Sequence, residues 1–190
     1  MKYSEHKAKW KDCRRCELCD QRKQIVLARG IVPCDVLFVG EAPGASENVL
    51  GQPFVGPAGI LLDRIILQGL DGQWDYAITN LVACFPRDAK KTKNHEPTKQ
   101  SIKACAERLR EFYQMAKPKA VVYVGKLAEL HGPVMLHAVL KGQKEVITTS
   151  ITHPAAILRM DISQKGLAIQ RCVVALEDLA EELAERYVRK

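Results

Sequence analysis

No stretch of this 190-residue sequence is long and apolar enough to span a bilayer, which excludes a helical membrane protein. The opening residues, Met1-Lys2-Tyr3-Ser4-Glu5-His6, are charged and polar, so no secretory signal is expected. Internal repeats and low-complexity segments are absent too. Acidic residues are in deficit, 22 against 29 Lys and Arg, for a net charge of +7 and a pI near 9.1. That balance favours a polyanionic partner. What remains is ordinary: 47% hydrophobic and 27% charged residues, as in a globular protein with a real core. The length fits a single domain over residues 1–190. Seven cysteines without an export signal argue against a disulfide framework. They point to metal ligands or buried thiols.

The chain is organised around residues 36–62, VLFVGEAPGASENVLGQPFVGPAGILL. Val36-Leu37-Phe38-Val39 reads as a buried strand that stops at Gly40. Glu41-Ala42-Pro43-Gly44 places a carboxylate at its C-terminal end. The loop Gly51–Gly56 holds Phe54 among small and rigid residues. Helical spacing begins at Ala58, with Leu61, Leu62, Ile65 and Ile66 on one face. Open α/β sheets bind ligands at the carboxyl ends of their strands.

Residues 1–12 read as a short amphipathic helix. Cys13-Arg14-Arg15-Cys16 follows, with Cys19 three residues on. A CxxC pair can grip a metal or cluster; a redox pair or two unrelated thiols are the plain alternatives. Residues 76–82 read as a second strand and 120–125 as a third. Residues 146–149 read as a fourth, leading into His153-Pro154-Ala155-Ala156. Residues 87–98, RDAKKTKNHEPT, form a basic loop carrying Lys90, Lys91, Lys93 and His95. It is either a solvated surface or a phosphate-contacting edge. Thr98 is the expected cap of a helix reaching Met115, with Ile102, Cys105, Leu109 and Phe112 as its apolar stripe. A break is expected at Gly132-Pro133. The segment from Ser163 onward reads as an amphipathic helix. Alternating strands and helices predict a mainly parallel sheet between helical layers.

Glu41, Asn80 and His153 each follow a predicted strand, so a parallel sheet brings them to one edge, with Phe54 close by. That set suits a flat polar heterocycle. Gly40–Gly44, Gly51–Gly56, Thr79-Asn80, Cys84-Phe85-Pro86 and His153–Ala156 together resemble the family 4 uracil-DNA glycosylases, the iron–sulfur members of their superfamily. The resemblance runs from Cys13 to about Arg159.

It implies a three-layer α/β/α fold around a central four-stranded parallel sheet. It implies hydrolysis of the N-glycosidic bond of uracil flipped out of DNA. It also implies a [4Fe-4S] cluster held by Cys13, Cys16, Cys84 and Cys105, in an N-terminal cluster-binding segment closed onto the rest. Cys19 is the rival ligand; Cys34 and Cys172 read as core thiols. Phe54, Asn80 and Ala42 are the expected uracil contacts. His153 is the expected donor to the departing base. Glu41 and Glu47 are the candidates to activate water. Other superfamily members carry aspartate where this chain has Ala42. Pro154, Leu158 and Arg159 are the expected DNA contacts. The expected protein is a cytoplasmic, DNA-associated monomer with uracil-containing DNA as its partner.

The chain departs from the family pattern around residues 90–97. A lysine-rich link precedes Asn94-His95-Glu96-Pro97, with His95 where arginine is usual. A related subgroup uses a histidine in such an insertion to attach covalently to uracil-site DNA, but carries glutamine where this chain has Ala42. Two alternatives therefore stand beside the hydrolase: a covalent uracil-DNA binder using His95, and a non-catalytic iron–sulfur or zinc module that binds DNA.

Overall fold

A computed structural model describes residues 2–87, 95–141 and 146–187. Val36–Gly40 forms strand β2, and every residue in it is buried. Its β-branched and aromatic side chains suit a strand covered on both faces. Tyr76–Asn80 (β3) pairs with it in parallel, from Val36↔Tyr76 to Gly40↔Asn80. Ala120–Val124 (β4) pairs in parallel on its other side, and Ile147–Ile151 (β5) extends the sheet beyond β4.

Among the described residues the sheet has five strands rather than the four expected. The fifth is Ala28–Gly30 (β1), antiparallel to β3 at the edge. Three residues with an arginine at the centre carry no alternation that would announce a strand. The order is β1-β3-β2-β4-β5, so β2 lies at the centre.

Successive side chains of β2 feed two separate cores. Leu37 and Val39 pack with Leu109, Phe112 and Leu136. Val36 and Phe38 pack with Leu62, Ile65 and Leu176. The first core is covered by Lys99–Ala116 (α4) and Lys126–Leu140 (α5). The second is covered by Pro57–Leu70 (α3) and Ile162–Tyr187 (α7). This is the expected three-layer α/β/α arrangement.

Local chemistry sets the helix limits. Pro57 opens α3 at a position whose N–H needs no partner. Thr98 accepts at 3.1 Å from the Ser101 N–H and caps α4, as its sequence position predicts. Tyr3–Trp10 (α1) lies against α4. Two short helices, Ala45–Leu50 (α2) and Pro154–Arg159 (α6), occupy stretches that read as loops. Six residues are too few for a periodic signal.

The expected break at Gly132-Pro133 is absent. Helix α5 runs through it. A Cβ on Gly132 would lie 2.3 Å from a ring carbon of Tyr123, so glycine lets the helix approach β4 closely. Burial of Met135 and Leu136 holds the helix together beyond the proline.

Gly59 in α3 is under the tightest constraint of this kind. A Cβ there would lie 1.8 Å from the Phe54 carbonyl oxygen, which is backbone and cannot turn aside. Gly59→Ala is expected to lower unfolding stability by at least about 1–3 kcal/mol in a denaturant titration. Gly166 in α7 has nothing within 4 Å of its Cβ position. Gly166→Ala is expected to raise stability by about 0.5–1 kcal/mol. Equal effects at the two positions would contradict this packing.

Candidate functional site

The parallel register gathers the ends of β2, β3, β4 and β5 at one edge of the sheet. Gly40 ends β2, Asn80 ends β3, Gly125 follows β4, and His153 lies two residues beyond β5. At Gly40 a Cβ would lie 2.4 Å from the Asn80 Oδ1 and 2.5 Å from the Phe54 Cζ. The missing side chain is therefore what lets the amide and the ring meet. The Asn80 side chain is buried, yet among the described residues neither its Nδ2 nor its Oδ1 has a hydrogen-bond partner. Buried amides left unpaired cost free energy and call for an explanation.

Phe54 is buried with φ at 54°, a left-handed conformation that is costly for a bulky residue. Two clamps hold it there. Arg29, on β1, donates from Nε to the Pro53 carbonyl at 2.8 Å and from Nη2 to the Phe54 carbonyl at 3.2 Å. Its guanidinium also pairs with Asp63 on α3. On the other side, Glu47 Oε1 accepts from the Val55 and Gly56 N–H groups, each at 2.9 Å. Its Oε2 accepts from the Gly44 N–H at 3.0 Å. Glu47 thus ties two loops together through three backbone N–H groups.

The Phe54 ring packs against His153, with centroids 5.7 Å apart and planes 31° from parallel. His153 Nδ1 accepts from the Ala155 N–H at 3.1 Å. Burial, with help from the Arg159 charge, lowers the imidazole pKa against the opposing pull of Glu47. The ring is therefore neutral at pH 7, and its one proton sits on Nε2.

Beside this group runs a cleft lined by Glu41, Ala42, His95, Glu96, His153 and Arg159. Burial and the nearby Glu96 charge raise the Glu41 pKa, while Arg159 opposes them. Pro154 is buried as the first residue of α6, whereas Leu158 and Arg159 at the far end of that helix are exposed. Lys90, Lys91, Lys93 and Asn94 of the basic loop lie outside the described residues.

Away from this cleft, Cys13, Cys16, Cys19, Cys84 and Cys105 line one cavity with Arg22 and Arg108. Arg22 donates to the Cys84 sulfur at 3.2 Å. Burial pushes the Cys16 and Cys84 thiols up to about 11. Cys19 is turned to the Asp20 carboxylate, to which its thiol donates at 3.3 Å. Cys34 and Cys172 are buried elsewhere in the two cores. Among the described residues no group of three or more His, Cys, Asp or Glu side chains is placed to hold a metal ion.

Comparison with known proteins decides the family. The model of the Uracil DNA glycosylase superfamily matches residues 30–177. A type-4 uracil-DNA glycosylase of Pyrobaculum aerophilum is 33% identical over 165 residues, covering 78% of this chain and 81% of that protein. That of Archaeoglobus fulgidus is 31% identical and covers 77% and 78%. That of Thermotoga maritima is 30% identical over 190 residues and covers 95% and 91%. The chain belongs to the type-4 uracil-DNA glycosylases.

For a chain of this family, two residues at the site carried no motif. Arg29 sits in a three-residue edge strand and gives no signal. Arg108 does give one: it falls three residues after Cys105 and four before Phe112, inside the apolar stripe of α4. A cation on a buried face requires partners.

A carbon-detected carboxyl titration checks the electrostatics. Glu41 is expected to titrate above the ordinary 4.5, and Glu96→Gln is expected to lower its pKa. A Glu41 that titrates at or below the ordinary value would refute the burial and like-charge account.

Proposed function

We propose that the protein is a uracil-DNA glycosylase that hydrolyses the N-glycosidic bond of uracil flipped out of DNA. The observation that carries this reading is the buried, unpartnered amide of Asn80 beside the Phe54 ring. A uracil against Phe54 satisfies both amide atoms. Asn80 Nδ2–H donates to uracil O4, and Oδ1 accepts from N3–H. Cytosine presents the reverse pattern, so it leaves two polar clashes in a dry site. The target base must leave the duplex to reach this pocket, at a cost of a few kcal/mol.

Bond cleavage leaves negative charge on the departing uracil, concentrated in part on O2. His153 donates there from Nε2. The Ala155 N–H fixes that tautomer in advance, so no reorganisation is needed as charge develops. Glu41, at the wall of the cleft, orients and deprotonates the attacking water. Its raised pKa makes it a better base than an ordinary carboxylate. The Glu47 carboxylate is committed to three loop amides, so its role is to position Phe54. Leu158 and Arg159, exposed beyond His153, contact the DNA from which the base departs.

Cys13, Cys16, Cys84 and Cys105 hold a [4Fe-4S] cluster. Thiolates are the donors such a cluster takes, and the four line one cavity with two guanidiniums to offset their charge. When bound, the cluster supplies a structural tie between the N-terminal segment, the loop after β3 and helix α4.

One observation favours a second reading. His95 lines the same cleft as Glu41 and His153. An imidazole there can trap the sugar covalently in place of water. Incubation with uracil-containing single- and double-stranded DNA separates the readings. The hydrolase reading expects free uracil with turnover, and His153→Ala lowers single-turnover excision by roughly 10²–10³. A boiling-resistant adduct lost in His95→Ala indicates the trap. Salt-sensitive binding without product refutes both.

A further inference from the structure

Arg108 is 1% exposed. Burying a guanidinium is costly unless its charge and donors are met. No carboxylate pairs with it among the described residues. Its donors go instead to the end of β3. Nη1 donates to the Thr79 hydroxyl at 2.9 Å, and Nη2 donates to the carbonyls of Asn80 and Leu81. The Thr79 hydroxyl in turn donates a hydrogen bond to the Leu27 carbonyl at 2.7 Å. Nε has no partner. The same side chain forms part of the cavity wall beside Cys84 and Cys105. Burial works against its charge, and the neighbouring Cys105 and Cys84 sulfurs oppose that effect.

One rigid fork therefore spans two sites. Its planar geometry matches several acceptors at once, which a lysine ammonium cannot reproduce. The Asn80 carbonyl that it fixes belongs to the residue whose side-chain amide stands unpaired at Gly40. A backbone held there keeps the amide aimed into the pocket before a base arrives. That preorganisation is what an amide needs to tell uracil from cytosine.

We propose that Arg108 is a positioning residue for base selection, held by the thiolate cavity on one side and holding Asn80 on the other. The inference rests on the glycosylase reading above and assigns its selectivity a remote support. The state of the thiol cavity and the choice of base are thereby coupled through one side chain.

The test uses the full chain purified without oxygen, as wild type, Arg108→Lys and Arg108→Met. Two quantities are read: iron per chain, and the ratio of affinities for duplexes carrying a non-cleavable uracil or cytosine nucleotide. Arg108→Lys retains the charge and is expected to retain iron, while losing about tenfold or more of the uracil preference. Arg108→Met is expected to lose both. Affinity for undamaged DNA stays unchanged in each. Should these variants fail to fold, Thr79→Val keeps the guanidinium and removes one acceptor; about a threefold loss of preference with normal iron is expected. Wild-type preference in Arg108→Lys, or in Thr79→Val when that variant is the one tested, would overturn the proposal. So would full iron in Arg108→Met, or equal losses on uracil and undamaged DNA. A wild type with no uracil preference would sink the glycosylase reading instead.

Discussion

The site depends on one constraint: the central strand must end in a residue without a side chain. Strand β2 is paired in parallel on both sides, so its position is fixed by two ladders. It ends at Gly40, where a methyl group would strike both Asn80 and Phe54. The amide comes from the neighbouring strand and the ring from a loop eleven or more residues further along the chain. Neither could reach the other across a larger residue. The parallel register then delivers Gly125 and His153 to the same edge from β4 and β5.

Much of the remaining polar structure keeps that edge rigid. Arg29 holds the carbonyls at Pro53 and Phe54, and Glu47 holds the amides at Val55 and Gly56. Between them they maintain Phe54 in a strained conformation. Gly59 admits the Phe54 carbonyl against helix α3. The Ala155 N–H fixes the His153 tautomer. Arg108 does for Asn80 what Arg29 does for Phe54: a guanidinium grips backbone carbonyl oxygens near the site. Strain at Phe54 and the unpaired amide of Asn80 thus meet at the same pocket, as expected where binding energy is to be realised.

The sequence exposed this arrangement unevenly, and the reasons are physical. The runs Val36–Val39 and Ala120–Val124 are apolar throughout, so burial on both faces announces them as strands. Long helices such as α4 carry a periodic stripe and a Thr98 cap. Strand β1 and helices α2 and α6 span six residues or fewer, less than the window in which period can be counted. Pro133 misleads because packing at Gly132 outweighs its local cost. Asn80 and His153 were legible as polar groups placed after strands. The commitment of Glu47 was not, because its partners are backbone N–H groups from three other residues. Arg29 was hidden for the same reason, since a carbonyl acceptor leaves no mark on residue type, whereas Arg108 was marked by its place in the apolar stripe of α4.

The central claim is that uracil completes the unpaired Asn80 amide, and a crystal structure of the protein with free uracil tests it most directly. The account predicts the base stacked on Phe54, with Asn80 Nδ2 in hydrogen-bond contact with O4, Oδ1 in contact with N3, and His153 Nε2 facing O2. Uracil bound elsewhere in the cleft, or a saturating soak that leaves the Asn80 amide unpartnered, would contradict it.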